Sequence, residues 1–375
     1  MKRISLALAI LCLASLSACA TKPTKKIDVA NAPTNTLLVM IKAPEQRQRH
    51  YRRFSVSGKA DQLSKRLASN HQLNLLWQWT LPSLGVHCLV IEKPDANTLA
   101  SLREDKRVLW VQPNNQYSLL NHPSGHPEQP HEASEAFQQL LKQVNGDGNG
   151  ATIAIVDTGV DINHPQLSGS KIMASNVVDD LNHVPAEPHG TAVAGLISAQ
   201  PTSDAQITGL APGAKIHFIR ACWQTTAGAG SCNSLSLAVA LESIAQVQPN
   251  FINLSLTGPR DPLLEAQLSK IISNGSAVIA AYDENRKQSH RFPPPQNGVI
   301  YARGKPGPKE DGVICAPSQA VSLAPNAGYD LVVGNSVATP HVTALAARMK
   351  PLNPELSPKL ILAKMQQQLD TQTAF

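Results

Sequence analysis

The chain has little charge of either sign. Charged residues make up 16% of its 375 positions, too few for a disordered polyelectrolyte. After one N-terminal apolar stretch it has no second long hydrophobic run, which excludes a polytopic membrane protein. Its six cysteines form no CxxC pair and no Cys/His spacing of a zinc site. There is no internal repeat and no low-complexity tract, so repeat arrays are excluded as well. What remains is a globular balance, 42% hydrophobic, in a chain long enough for two or three units of about 150 residues.

The formal charge of +6 and pI near 9.0 invite a nucleic-acid reading, but the charge is unevenly spread. Residues 1–33 hold five basic and one acidic residue, 34–120 twelve and six, and 121–375 sixteen and twenty. The long C-terminal part is therefore acidic. A basic unit ahead of an acidic one predicts complementarity within the chain. No nucleic-acid-binding module is recognisable, and no nucleic-acid partner is expected.

Met1-Lys2-Arg3 followed by the apolar run Ile4–Leu16 reads as a signal peptide, too short to span a bilayer permanently. It ends in Leu16-Ser17-Ala18-Cys19, which resembles the lipobox of bacterial lipoproteins. That resemblance implies cleavage after residue 18 and a lipid anchor on Cys19. With Ala20 next in line, it implies delivery to the outer membrane or periplasmic side of a Gram-negative envelope. Residues 19–33, rich in Thr, Lys, Ala and Pro, read as a flexible tether. In an oxidising compartment disulfides persist. Cys222 and Cys232 flank a Gly- and Thr-rich loop, and they are expected to pair, with a contribution of about 3 kcal/mol. Cys88 and Cys315 are expected to stay buried thiols.

Residues 34–120 read as βαββαβ. Strand-like runs stand at Leu37–Ile41, Leu73–Thr80, Val86–Ile91 and Val108–Val111, with helices at Ala60–Asn70 and, capped by Asn97, at Asn97–Asp105. This predicts a ferredoxin-like α+β module. Residues 121–147 are polar with scattered Pro and His and one helical stretch at Ala133–Val144, which reads as an exposed linker. From 148 to 375 the pattern changes. Ile153–Val156, Lys215–Arg220, Phe251–Ser255 and Ala277–Ala281 are continuous apolar strands between longer amphipathic stretches. Such alternation predicts an α/β unit whose mostly parallel sheet is covered by helices on both sides, a three-layer sandwich.

Asp157-Thr158-Gly159 closes the first of these strands, where parallel sheets place their sites. Downstream come His189-Gly190-Thr191 at a helix start and Gly334-Asn335-Ser336 at a glycine turn leading into a helix. Each alone reads as structural. An Asp, a His and a turn-borne Ser in this order satisfy together the requirements of a nucleophilic triad. In it His189 is general base, Asp157 orients the imidazole and Ser336 attacks a carbonyl.

The three motifs with their flanks, Ile155–Asp161, His189–Gly195 and Gly334–Val342, resemble those of the subtilases, the subtilisin-like serine proteases. Gly209–Ala214 and Ile252–Leu256 are similar to further family segments. The resemblance implies a serine endopeptidase at 148–375, made as a zymogen. Residues 34–120 are similar to the inhibitory propeptide, whose tail occupies the cleft and is cut in or just after Gln116–Leu120. It also implies that Ser255, Leu256, Thr257 and Gly258 pair with the substrate backbone. Departures are visible. Where the family carries an oxyanion-binding Asn, an ungapped match gives Glu284, and Asn285 or another donor is expected to serve. Thr257 replaces a Gly, and with Tyr282 it is expected to narrow the pocket. Gln166 stands where a calcium-ligating Asp is frequent, so no cofactor or strong calcium site is expected, although a weak surface site remains open. The rival reading is a catalytically impaired scaffold lipoprotein on the same fold.

Overall fold

The computed structural model describes residues 28–30, 33, 35–44, 58–120, 132–203, 207–226, 228–308 and 310–372. The predicted leader and Cys19 lie outside the described residues. The N-terminal unit runs β1 (Thr36–Lys42), α1 (Gly58–Asn70), β2 (Leu75–Leu81), β3 (Val86–Glu92), α2 (Ala96–Glu104) and β4 (Val108–Pro113). Its antiparallel sheet has the order β2-β3-β1-β4. α2 is capped by Asp95, whose carboxylate accepts from the backbone of Asn97 and Thr98, and not by Asn97. Asp95 stands at the N-cap position, from which a carboxylate reaches two orphan N–H groups of the first turn, whereas Asn97 already lies inside the helix.

The chain continues through β5 (Gln116–Leu119) and α3 (Glu132–Gln143) into β6 (Thr152–Asp157), β7 (Ile172–Asn176), α4 (Pro188–Ser198), β8 (Lys215–Arg220), β9 (Trp223–Gln224), β10 (Gly230–Asn233) and α5 (Ser234–Val247). β11 (Phe251–Leu254), β12 (Leu256–Pro259), α6 (Pro262–Ser273), β13 (Ala277–Ala281), β14 (Arg291–Phe292), β15 (Val299–Arg303) and β16 (Val313–Cys315) follow. A hairpin of β17 (Gln319–Ala324) and β18 (Gly328–Val333) precedes the helices α7 (Asn335–Leu352) and α8 (Pro358–Gln372). Seven strands form a parallel sheet in the order β16-β15-β13-β11-β6-β8-β7.

Alternation along β6 shows the layers. Ile153 and Ile155 face a core shared with α3, α4, α7 and α8, whereas Ala154 and Val156 face one shared with α5 and α6. α3, expected as part of an exposed linker, instead buries Ala136, Phe137, Leu140 and Leu141 in the first core. Its apolar side chains recur at helical spacing, and that stripe outweighs the Pro- and His-rich flanks. The expected tether also departs from a free coil at its end. Val29 is buried, its N–H donates to Val178 O at 2.8 Å, and its carbonyl accepts from Asn233 Nδ2 at 3.3 Å.

The N-terminal sheet is covered differently. One face packs Leu37, Val39, Ile41, Leu89 and Ile91 against Leu67 and Leu102 of its own helices. The other presents Leu38, Met40, Cys88 and Val90 to the core of α5 and α6. This explains why β1 and β3 read as continuous apolar runs. From β4 the chain passes directly into β5, which lies between β10 and β12 in an antiparallel sheet of order β14-β12-β5-β10-β9.

Candidate active site

Asp157 ends β6 with its side chain buried, and its Oδ1 accepts from Thr158 N at 2.7 Å and from His189 Nδ1 at 2.6 Å. The backbone holds this end of the strand in place, since Asp157 O accepts from Ala221 N and Cys222 N, both at 3.0 Å. His189 sits in the first turn of α4, after Pro188. There Gly190 N donates to Thr158 Oγ1 at 3.0 Å, and a Cβ on Gly190 would lie 2.3 Å from Gly159 O. Only glycine lets the helix start touch the Asp157 loop so closely. Glu187, the residue before the helix, accepts from Gly159 N and Gln224 N and from the buried Arg220 at 3.1 Å, locking the loop over β8.

An imidazole whose Nδ1–H is held by a carboxylate keeps Nε2 as a base. Among the described residues His189 Nε2 has no hydrogen-bond partner and is buried. Ser336 occupies the first turn of α7, which packs against α4. It follows Gly334, whose φ of 136° favours glycine. Asn335 pins this turn, its Nδ2 donating to Tyr282 O and its Oδ1 accepting from Gly304 N, both at 2.7 Å. Ser255 Oγ donates to Ser336 O at 3.1 Å, which joins the backbone of the expected nucleophile to the segment expected to line the substrate slot. That segment is occupied by the chain itself. Leu256 stands opposite Leu119 and Thr257 opposite Ser118, while Ser231, Cys232 and Asn233 face Ser118, Tyr117 and Gln116. The Cys222–Cys232 disulfide ties β10 to the end of β8. Burial raises the thiols of Cys88 and Cys315, the latter to about 11.

The subtilase family profile matches residues 148–300 and 295–374, well over half of the chain. The chain belongs to the subtilase family. It is 32% identical over 217 residues to the "Thermophilic serine proteinase" of Bacillus sp. (strain AK1), covering 54% of this chain and 53% of that one. Over 212 residues it is 30% identical to "Thermitase" of Thermoactinomyces vulgaris, 53% of this chain and 75% of the relative. The chain thus spans between half and three quarters of these relatives' length. Fervidolysin from Fervidobacterium pennivorans superposes with a TM-score of 0.63 at 21% identity, over 86% of this chain and 55% of that one. "Sphericase" gives 0.51 at 22%, over 64% and 91%. These two establish the fold.

As a subtilase the chain departs from pattern at three places, and each has a structural account. After β13, Asn285 is exposed, and its backbone N–H donates to Asp283 Oδ1 at 3.0 Å. Among the described contacts none brings its amide to Ser336. Glu284 also faces solvent, so the carboxylate feared at the reacting oxygen turns outward. Asp283 is the inward one, and it accepts from Thr257 Oγ1 at 2.9 Å and from Arg286 at 3.4 Å. Thr257 and Tyr282, expected to narrow the pocket, both have their hydroxyls bonded to carboxylates. Tyr282 donates to Glu310 at 2.7 Å and carries the Arg291 guanidinium 4.3 Å from its ring. Gln166, third, is buried. Its Nε2 donates to Gln200 O and Ile207 O and its Oε1 accepts from Tyr329. A neutral amide, engaged through both its nitrogen and its oxygen, thus stands at the position where the resemblance puts a calcium-ligating Asp.

Sequence reasoning missed Asp261. Fully buried at the N-cap of α6, it accepts from Leu263 N and Leu264 N at 3.1 Å and from Ser234 Oγ at 2.6 Å. Residues preceding β5 and within it also donate to it: Gln112 at 2.7 Å, Asn115 at 3.1 Å and Tyr117 at 3.3 Å. Neutral side chains of the same segment cap two helices. Asn114 Oδ1 accepts from Leu235 N and Gln112 Oε1 from Leu263 N. The one available signal was Asp261-Pro262, a helix-start pair.

Proposed function

We propose that the chain is a serine endopeptidase made as its own inhibited precursor. The observation that carries this is the buried Asp157–His189 pair at 2.6 Å at the end of a slot filled by β5 as an added strand. In this reading Asp157 fixes the tautomer, and His189 Nε2 takes the proton of Ser336 as Oγ attacks. It then gives that proton to the leaving amine. The backbone N–H groups at the start of α7 stabilise the oxyanion. Leu119 faces Leu256, so extending that register by one residue sets Leu120 opposite Ser255, whose Oγ donates to Ser336 O, and this supports a cut after Leu120. The 120–121 peptide bond is therefore the processing site. Residues 34–120 are the propeptide, and the protease unit extends from α3 onward.

The leader supports export and a lipid anchor on Cys19 in the envelope of a Gram-negative cell. After the cut that anchor belongs to the propeptide. Substrates are proteins or peptides, and the chemistry uses no cofactor. A fluorophosphonate probe tests the reading. Labelling of wild type and none of Ser336→Ala is expected, and a processed wild-type protein that takes no label would favour the scaffold.

A further inference from the structure

Tyr117 is the residue of β5 most fully enclosed by the protease unit. Its ring lies flat on Gly258, where a Cβ would come 2.1 Å from Cδ1, and Phe292 meets it edge-on at 5.5 Å. Its backbone pairs with Cys232. The slot has an apolar wall and a polar floor. Tyr117 OH lies 3.2 Å from Pro259 O and 3.3 Å from Asp261 Oδ2, both acceptors. Burial and the Asp261 charge raise the phenol's pKa, so it stays a neutral donor.

We propose that Tyr117 stands where a substrate tyrosine binds and that Asp261 and Pro259 O read its hydroxyl. Preferred substrates then carry Tyr three residues ahead of the residue whose carbonyl is attacked. This rests on the peptidase reading above, and it adds a substrate class to it. A ring alone would satisfy Gly258 and Phe292, so the distinguishing choice is Tyr over Phe. The size of that choice follows from what Phe leaves behind. A site built to bond a hydroxyl discriminates strongly when its partner is left bare. Asp261 keeps Ser234 and two backbone N–H donors when the phenol is absent. The expected preference is therefore about tenfold, the worth of one hydrogen bond to a charged acceptor.

Two measurements test it. In the full-length Ser336→Ala chain, hydrogen exchange of the 116–119 amides reads how firmly β5 is held, independently of catalysis. Tyr117→Phe, an isosteric change, is expected to lower protection about tenfold, and Asp261→Asn to shrink the difference between Tyr and Phe. Equal protection for Phe and Tyr would overturn the proposal. With the processed enzyme, kcat/KM for otherwise identical peptides should favour Tyr over Phe about tenfold, and equal or better cleavage of the Phe peptide would equally overturn it. If the exchange difference appears and neither peptide is cut, the pocket stands and the peptidase reading falls.

Discussion

The two sheets of the molecule bury their faces by different means. The parallel sheet is covered on both sides by helices of its own unit, α3, α4, α7 and α8 on one and α5 and α6 on the other. The N-terminal sheet covers one face with α1 and α2 and takes the other cover from α5 and α6 of its neighbour. The subtilase unit thus owns its core, and the N-terminal unit borrows half of one. Each of Leu38, Met40, Cys88 and Val90 would face water if the partner left. At about 1.5–3 kcal/mol per large apolar side chain, that loss rivals the whole stability of a small domain.

Separating the units should have the largest effect. Residues 28–120 alone are expected to show no cooperative thermal transition by circular dichroism, and to gain one when the protease unit is added in trans. A sharp transition for the isolated segment would mean that its open face needs no cover.

Acid should discriminate next. His87 is wholly buried in β3, bonded to Thr80 Oγ1 at 2.8 Å and Gln78 Oε1 at 3.1 Å. Burial, partly offset by the Asp61 charge, holds its pKa down at about 4. The folded unit binds the neutral ring, so His87 contributes no penalty above its ordinary value near 6.5. That stability is lost as pH falls from there to about 4, by up to about 3 kcal/mol. The unfolding midpoint of full-length Ser336→Ala should drop over this window, and His87→Gln should flatten the slope. An unchanged slope would place the acid sensitivity elsewhere.

The smallest expected effect is that of salt. The regional charge count predicted attraction between a basic N-terminal unit and an acidic protease, yet the ion pairs between described residues all lie within one unit or the other. The carboxylates at the interface meet neutral donors from the N-terminal unit, Ser83 on Glu242 and Gln112, Asn115 and Tyr117 on Asp261. Raising ionic strength should therefore change the inhibition constant of added propeptide by less than about threefold. A steep salt dependence would restore the charge reading.

The same contrast explains what could be read beforehand. The central strands of the parallel sheet were legible because strands buried on both faces are continuous apolar runs, and the Asp157–His189 contact was legible because both residues stand in specific, glycine-flanked motifs. Three strands of that sheet escaped notice, the short edges β7 and β16 and the buried β15 beside the latter. Met173 is 58% exposed, and an edge has no run to detect. Asn285 was weighed from an alignment position, whereas loop length decides which side chain turns inward, and here it is Asp283. Asp261 was missed because its partners Gln112 and Asn115 lie about 150 residues earlier in the chain.

In the proposed precursor β5 is a substrate-like tail held at Ser336. Mass spectrometry of the mature protein's termini tests it most directly. A new N-terminus at Asn121 in wild type, with the Ser336→Ala chain left intact through this region, is the predicted result. A cut between residues 120 and 121 that persists in isolated Ser336→Ala protein, or a wild-type cut that falls elsewhere in the chain, would contradict it.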